Sequence, residues 1–228
     1  MRKFRLFVTL CLLFSLLVPA ALADNLYEDT APYSSADLTG FKNAGYKSYY
    51  DSMRFIAELT GPSTISKTLY DNYGSLPDGT YTLQPNLRMT WNGTQCTWIP
   101  RLLIGSSGYY TYSDDAMNIL YIKVGQNRYS VDISGVSRST KSKEYNATES
   151  GVIPFGPDGL AVLKYICSAT ETVSLRINTS RQIFTLSSGD ITILKNFLSA
   201  CEAAGIFNQP GFLSYDDTFG AITLFNQN

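Results

Sequence analysis

The sequence contains no histidine. Nucleophile systems of the Ser-His-Asp and Cys-His types use an imidazole as general base, so neither can operate in this chain. Zinc sites that need histidine ligands and the two-histidine helical motif of metalloproteases are excluded for the same reason. Any catalysis would have to rest on carboxylates, Lys, Tyr, Ser or a hard cation.

Cysteine is scarce, and clusters of charge or glycine are missing. Of the four cysteines, Cys11 lies in the N-terminal apolar segment, which leaves three for the rest of the chain. Three are too few for a four-thiolate metal site, and an odd number excludes a scaffold held by disulfides alone. There is no glycine-rich phosphate loop and no basic block. We therefore expect no cofactor, no metal and no nucleic-acid partner.

Two arrangements remain open for the three cysteines. Cys167 and Cys201 can form one disulfide, leaving Cys96 free. Alternatively, all three are small buried hydrophobic residues with free thiols. Neither arrangement predicts a reactive cysteine, because no histidine is present to lower a thiol pKa.

The N-terminal segment, residues 1–23, has the three parts of a secretory signal peptide. A basic start precedes an apolar run that is too short for a permanent membrane span, and Pro19 lies ahead of an Ala-Leu-Ala end. We therefore expect cleavage after Ala23 and a soluble protein that is secreted or otherwise extracytoplasmic. Three of the 18 basic residues leave with the leader and all 19 acidic ones stay, so the mature chain is mildly acidic. No later run is long enough to span a bilayer.

Three Asn-x-Ser/Thr triplets occur, at Asn92, Asn146 and Asn178. They matter only in a host that glycosylates them, and the leader is of a bacterial type. The sequence therefore leaves their glycosylation open.

The mature chain begins with a polar stretch and a region of changing periodicity. Residues 24–40 contain few periodic apolar residues and are predicted to form a flexible N-terminal arm. Residues 41–135 are predicted to hold a helix followed by a β-meander of about five strands. Apolar residues at three- and four-residue steps place the helix over 46–60, ending at Gly61-Pro62. Beyond it the period falls to two, and Gly125-Gln126-Asn127 predicts a hairpin turn.

The C-terminal third is predicted to be a separate helical and hairpin unit. Residues 136–151 are rich in Ser, Thr and Lys and predict a polar loop between subdomains. Residues 152–228 predict a helix over 157–169, a hairpin, a second helix with Ser188 as its N-cap, and a final strand at 219–225. This unit can also form one domain with residues 41–135.

Together these patterns predict an α+β fold, with a mainly antiparallel β-meander and about three packed helices. A purely β sandwich is the competing fold class.

Two doubled aspartates raise the question of catalysis. Asp114-Asp115 and Asp216-Asp217 each precede an alternating, strand-like run. Glycan hydrolysis without histidine needs two carboxyl groups on opposite sides of the bond, which neighbouring residues supply poorly. A pair taken from both doublets would fit better. Asp is also common at turns, and two exposed turns explain both doublets without a site.

The sequence therefore favours a non-catalytic binding or accessory domain that acts outside the cytoplasm on a protein or cell-surface glycan. The alternative is a histidine-independent, carboxylate-based hydrolase acting on a glycan. The high tyrosine content suits surfaces with both polar and apolar contacts. The candidate contact residues are Trp91, Trp98, Tyr109, Tyr110 and Tyr112.

Overall fold

The described part of the chain folds into two antiparallel sheets and a small set of helices. The computed structural model describes residues 33–70, 77–109, 117–141, 146–178 and 183–215, together with Leu26 and Thr30. Its strands are β1 (Lys47–Asp51), β2 (Ile56–Thr60), β3 (Ile65–Tyr70), β4 (Pro77–Trp91), β5 (Cys96–Tyr109), β6 (Ile119–Val124), β7 (Asn127–Asp132), β8 (Ser134–Lys141), β9 (Asn146–Pro154), β10 (Val173–Ile177) and β11 (Phe184–Thr185). Its α-helices are α1 (Thr39–Asn43), α2 (Pro157–Ser168), α3 (Ser188–Ala203) and α4 (Pro210–Leu213), with a 3-10 turn at Ile206–Asn208. The predicted α+β class is confirmed.

The larger sheet is organised around two long strands, β4 and β5. Its order is β1-β2-β4-β5-β9-β8, and β3 pairs with the first half of β4. Strand β4 therefore has two neighbours end to end on one side, since β3 pairs with residues 77–83 and β2 with residues 86–88. The other side of β4 pairs with β5 from Gly79 to Trp91.

The smaller sheet lies against the inner face of the larger one. Its order is β11-β10-β6-β7. Tyr81 of β4 meets Phe184 of β11 edge to face, with ring centroids 5.0 Å apart. The predicted single meander is therefore wrong, because β4 and β5 belong to one sheet and β6 and β7 to the other. The turn between β6 and β7 at Gly125 is confirmed.

The two longer helices were predicted from sequence, and their ends follow ordinary capping chemistry. Helix α2 begins with Pro157, where the missing N–H costs nothing. Helix α3 is capped by Ser187, one residue before the predicted Ser188, in a reciprocal capping box with Asp190. Gly205, just beyond α3, adopts the left-handed conformation with φ of 71°. Strands β10 and β11 lie between these helices in the chain and pair antiparallel.

The helix predicted over residues 46–60 is wrong. This segment is the β1–β2 hairpin, with Lys47 opposite Thr60 and Asp51 opposite Ile56. Tyrosine and isoleucine favour strands, and the Asp51 side chain closes a turn in the middle of the segment. An uninterrupted helix cannot accommodate that turn.

The polar loop predicted over residues 136–151 is also wrong where the structure describes it. Residues 136–141 belong to β8, and residues 146–151 to β9. Strand β8 pairs with β9 through a register shift between Ser134 and Ser137, beside Gly135 at φ of 58°. Strands near a sheet edge are held mainly by backbone hydrogen bonds and need few apolar side chains. Their sequence can therefore be as polar as that of a loop.

The chain termini are described in part. Leu26, from the predicted arm, and Leu38 are buried and belong to the hydrophobic core. The final strand predicted at residues 219–225 lies outside the described residues.

The α3 cap also joins the helix to the larger sheet. Asp190 Oδ2 accepts from Ser187 N at 2.7 Å, from Ser187 Oγ at 2.8 Å and from Lys67 Nζ of β3. Burial alone would raise the pKa of Asp190, but the hydrogen bonds from Lys67 and Ser187 hold it below its ordinary value. A carboxylate whose pKa is lowered by folding stabilises the fold at pH values above its unfolded pKa of about 3.9. That contribution disappears as the pH falls through the lower folded value.

We therefore expect Asp190→Asn to lower the free energy of unfolding at neutral pH by about 1–2 kcal/mol. Asparagine keeps a cap acceptor but loses the charge that faces Lys67. The difference from the wild type should shrink as the pH falls below about 4. Urea unfolding at several pH values measures it. Glu202→Gln is a matched control on the same helix, because the Glu202–Lys164 ion pair is exposed. A difference that does not change with pH would show that the Asp190 charge contributes nothing.

Candidate functional site

Two hairpin tips lie side by side at one end of the larger sheet. Strand β2 pairs with β4 so that Glu58 is opposite Arg88 and Thr60 is opposite Asn86. Continuing this register toward the tips brings Phe55, at the end of the β1–β2 turn, level with Trp91, the last residue of β4. The fold therefore brings together two aromatic residues that are distant in sequence.

Three aromatic rings meet there, and we call Tyr33, Phe55 and Trp91 the hairpin-tip cluster. The ring centroids of Phe55 and Trp91 are 4.8 Å apart, and those of Tyr33 and Trp91 are 5.4 Å apart. Tyr33 and Phe55 are separated by 5.5 Å at an interplanar angle of 82°. These distances are typical of favourable aromatic contacts.

Two of the three rings of the hairpin-tip cluster are exposed, and the third, Phe55, is half-buried against the core. Trp91 retains 39% of its surface and Tyr33 retains 43%. The neighbouring Met53, in the β1–β2 turn, is 96% exposed. A group of large apolar side chains left in water at one place is unusual for a monomeric domain and is typical of a contact surface.

The backbone at the cluster is strained. Phe55 has a φ of 52°, the one positive φ at a non-glycine residue among those the structure describes. For a bulky residue this is an outlier that costs on the order of 1–3 kcal/mol. Strain of this kind persists where the surrounding structure enforces it, and such positions concentrate at functional sites.

The turn that carries Phe55 is closed by an ion pair. Arg54 N donates to Asp51 Oδ1 at 3.1 Å, and Arg54 Nε donates to Asp51 Oδ2 at 2.6 Å. These hydrogen bonds from Arg54 lower the pKa of Asp51. The two charges neutralise each other, so the tip presents aromatic and apolar surface without a net charge of its own.

Of the five predicted contact residues, the structure places Trp91 in the cluster. Trp98 is fully buried, opposite Met89, so its prediction as a contact residue is wrong. Cross-strand partners share a face of the sheet, so Trp98 and the buried Met89 both face the core. Trp91 is the last residue of β4 and lies beyond the edge of the core. Tyr109 ends β5, in a part of that strand where side chains are not described. Tyr110 and Tyr112 lie outside the described residues.

The sequence did not single out Tyr33 or Phe55. Tyr33 lies in the segment predicted as an arm, and Phe55 in the segment predicted as a helix. The Gly61-Pro62 stop and the Asp51-Ser52 pair were the available signals for a hairpin instead of a helix.

Of the two arrangements that the sequence leaves open for the cysteines, the Cys167–Cys201 disulfide does not form. Cys96, Cys167 and Cys201 are all buried with free thiols, which is the alternative arrangement. Burial raises the pKa of Cys96 and of Cys167 to about 11 and raises that of Cys201 as well. The thiols of Cys201 and Cys167 have different charged or polar neighbours. Cys201 lies close enough to Tyr46 to raise the pKa of that tyrosine, whereas Cys167 lies near Lys195 and Glu202.

The four aspartates of the hydrolase alternative, Asp114, Asp115, Asp216 and Asp217, lie outside the described residues. That alternative stays a prediction. Within the described part of the chain, no three Cys, Asp or Glu side chains come together in a way that could hold a metal ion.

A polar group formed by Arg101, Asn86 and Glu58 lies on the outer face of the larger sheet. Arg101 donates to Asn86 Oδ1 from Nε at 2.9 Å and from Nη2 at 2.6 Å, and its Nη2 is 3.1 Å from Glu58 Oε1. Burial lowers the pKa of Arg101, and Glu58 opposes that effect. With one carboxylate and two buried partners, this group lacks the second carboxyl that glycan hydrolysis requires. Its role is to hold β2, β4 and β5 together.

One cleft opens between the β2–β3 connection and α3. It is lined by Tyr46, Pro62, Pro85, Ile193 and Asn196 among others, and its volume is about 130 Å³. Pockets for cofactors and drug-sized ligands are larger, at about 300–1,000 Å³. The cleft is too small to be such a site.

Comparisons with protein-family models, with curated proteins and with solved structures find no match to this chain. Among the described residues, no helix is long and apolar enough to cross a membrane.

Proposed function

We propose that this chain is an exported, non-catalytic binding or accessory domain, and that the hairpin-tip cluster is its contact surface. The observation that supports the proposal is that the exposed rings of Tyr33 and Trp91 pack against each other and against the half-buried Phe55. The leader peptide of residues 1–23 supports export. The absence of histidine supports a binding role over the commonest catalytic chemistries.

The composition of the cluster favours a protein as the partner. Aromatic residues, Met and Arg are enriched in the cores of protein interfaces, and Trp, Tyr and Arg dominate their hot spots. Met53 and Arg54 directly precede Phe55 in the β1–β2 turn. The ring planes stand at 57° to 82° to one another, so they do not form one flat platform for successive sugar rings. A glycan partner is the other outcome of the test below.

The rest of the chain serves as scaffold in this proposal. Helices α2 and α3 and the smaller sheet would support the larger sheet and would make no contact with the partner. Because Trp91 ends β4 and Phe55 directly precedes β2, these two rings are held in place before binding, which reduces the ordering cost of association.

We expect Trp91→Ala to remove most of the partner binding while leaving the fold intact. Truncation of a central aromatic anchor typically costs at least about 2 kcal/mol of binding free energy, a loss of about 30-fold in affinity. Affinity capture from the extracytoplasmic fraction of the native organism, with wild-type and variant protein immobilised in parallel, measures the loss.

Ile183→Ala and Leu213→Ala are matched controls, since both are exposed apolar side chains outside the cluster. They should retain the same protein as the wild type. A protein that all four immobilised chains retain equally would contradict the proposed surface. A glycan array that gives a Trp91-dependent signal, with no Trp91-dependent protein captured, would replace the protein partner with a glycan.

A further inference from the structure

The turn between β4 and β5 contains a dipeptide with chemistry of its own. Asn92-Gly93 is the sole Asn-Gly pair in the sequence. It directly follows Trp91, and Asn92, Gly93 and Thr94 are all exposed. An asparagine followed by glycine can cyclise, because the next backbone nitrogen can attack the side-chain carboxamide without hindrance from a Cβ.

The carboxamide of Asn92 is polarised by three donors. Its Oδ1 accepts from Gln95 N at 2.8 Å, from Thr94 Oγ1 at 3.0 Å and from Thr94 N at 3.1 Å. Donors aimed at a carbonyl oxygen stabilise the negative charge that develops there when a nucleophile adds to its carbon. The three donors of the turn therefore stabilise negative charge on Asn92 Oδ1 in the same way as the donors of an oxyanion hole.

The attacking group is accessible. Gly93 has a φ of 97°, and no heavy atom lies within 4 Å of the position that a Cβ would occupy. Among the hydrogen bonds of the described residues, none uses Gly93 N–H as donor. Gly93 is thus exposed, with open space where a Cβ would stand, and its N–H makes no hydrogen bond among the described residues.

From this arrangement we infer that Asn92 is a site of spontaneous deamidation. Gly93 N loses its proton and forms a bond to Asn92 Cγ, and the C–N bond to the side-chain nitrogen breaks with release of ammonia. Water then opens the cyclic imide at one of its two carbonyl carbons. The product is an ordinary aspartate if the bond between Gly93 N and Cγ breaks, and isoaspartate if the original backbone bond breaks. The balance is asparagine plus water giving aspartate or isoaspartate plus ammonia.

The two products affect the adjacent cluster differently. An aspartate at this position keeps an acceptor for the same three donors and adds a negative charge next to Trp91. Isoaspartate adds a methylene to the main chain between Trp91 and Gly93, which alters the tip that positions the Trp91 ring. Either product also destroys the Asn92 glycosylation triplet. The effect on binding rests on the proposed function, but the modification itself does not.

The experiment is a timed incubation of the purified protein at mildly alkaline pH, using a host without N-glycosylation. Trypsin releases the peptide Met89–Arg101, in which Asn92 is the sole asparagine. Mass spectrometry should show replacement of the side-chain NH₂ by OH in this peptide, with two chromatographic products. The synthetic peptide of the same sequence is the reference for an unstructured chain.

We expect conversion in the folded protein at least as fast as in the synthetic peptide, and loss of conversion in Asn92→Gln, whose larger ring closes slowly. Conversion that is slower in the folded protein than in the peptide would overturn the inference, because the turn would then protect Asn92. An absence of conversion in both would overturn it as well. These outcomes do not depend on whether the Trp91 surface binds a partner.

Discussion

Replacing Arg101 by methionine is expected to lower the free energy of unfolding by about 3–5 kcal/mol, the cost of leaving one partner of a buried charge pair uncompensated. Asn86 is fully buried and uses Oδ1 to accept two hydrogen bonds from Arg101, while its Nδ2 donates to Thr60 Oγ1 at 3.0 Å. Methionine fills similar space but donates nothing. Asn86 Oδ1 would lose both donors, and Glu58 would lose its nearest cation.

Urea unfolding measures this loss, and Arg88→Met is the matched control. Arg88 faces the same Glu58 oxygen at 3.5 Å, but its side chain is 44% exposed. Its replacement should cost no more than about 1 kcal/mol, as for other surface ion pairs. The triple variant Glu58→Gln, Asn86→Leu, Arg101→Met should recover stability relative to Arg101→Met alone, since it removes the unpaired groups together. Equal effects of Arg88→Met and Arg101→Met would contradict the buried network.

Replacing Trp98 by alanine is expected to cost about 3–5 kcal/mol, the range for large aromatic truncations in a core. Trp98 has no exposed surface, lies opposite Met89, and donates its backbone N–H to Gln209 Oε1 at 3.0 Å. The backbone hydrogen bond remains in the variant. The loss therefore reports packing around the indole ring, which is the largest fully buried side chain described.

Trp91→Ala is the matched comparison, because it removes the other tryptophan of the chain. Trp91 is 39% exposed and packs against Tyr33 and Phe55, so its replacement should cost about 1–2 kcal/mol, less than that of Trp98. Thermal or urea unfolding of Trp98→Ala and Trp91→Ala in the same buffer measures the two losses of stability. Comparable destabilisation by both substitutions would show that Trp91 is a core residue and would remove it from the proposed contact surface.

The elements that the sequence predicts well are those with strong local signals. Helix α3 has a capping box at one end and a glycine at the other, and α2 begins with a proline, so both were located from residues adjacent in sequence. The β6–β7 hairpin was located from its Gly125 turn. These features depend on few long-range contacts.

The elements that it predicts poorly are set by distant partners. Residues 46–60 form a hairpin because β2 pairs with β4, and residues 136–141 and 146–151 form strands because β8 pairs with β9 and β9 with β5. Neither partner can be read from the segment itself. The same reason explains why Trp91 was found as a candidate while Tyr33 and Phe55 were missed, since the cluster exists only after the sheet has formed.

Trp91 can report on the central proposal directly. In Trp98→Phe, Trp91 is the sole tryptophan, and its fluorescence comes from the proposed contact surface. The measurement is acrylamide quenching of this variant, with and without the protein that the wild type captures and Trp91→Ala does not. We expect Trp91 to be readily quenched alone, and the partner to shift its emission to shorter wavelength and to protect it from acrylamide. Unchanged emission and quenching on a saturating amount of partner would contradict the hairpin-tip cluster as the binding surface.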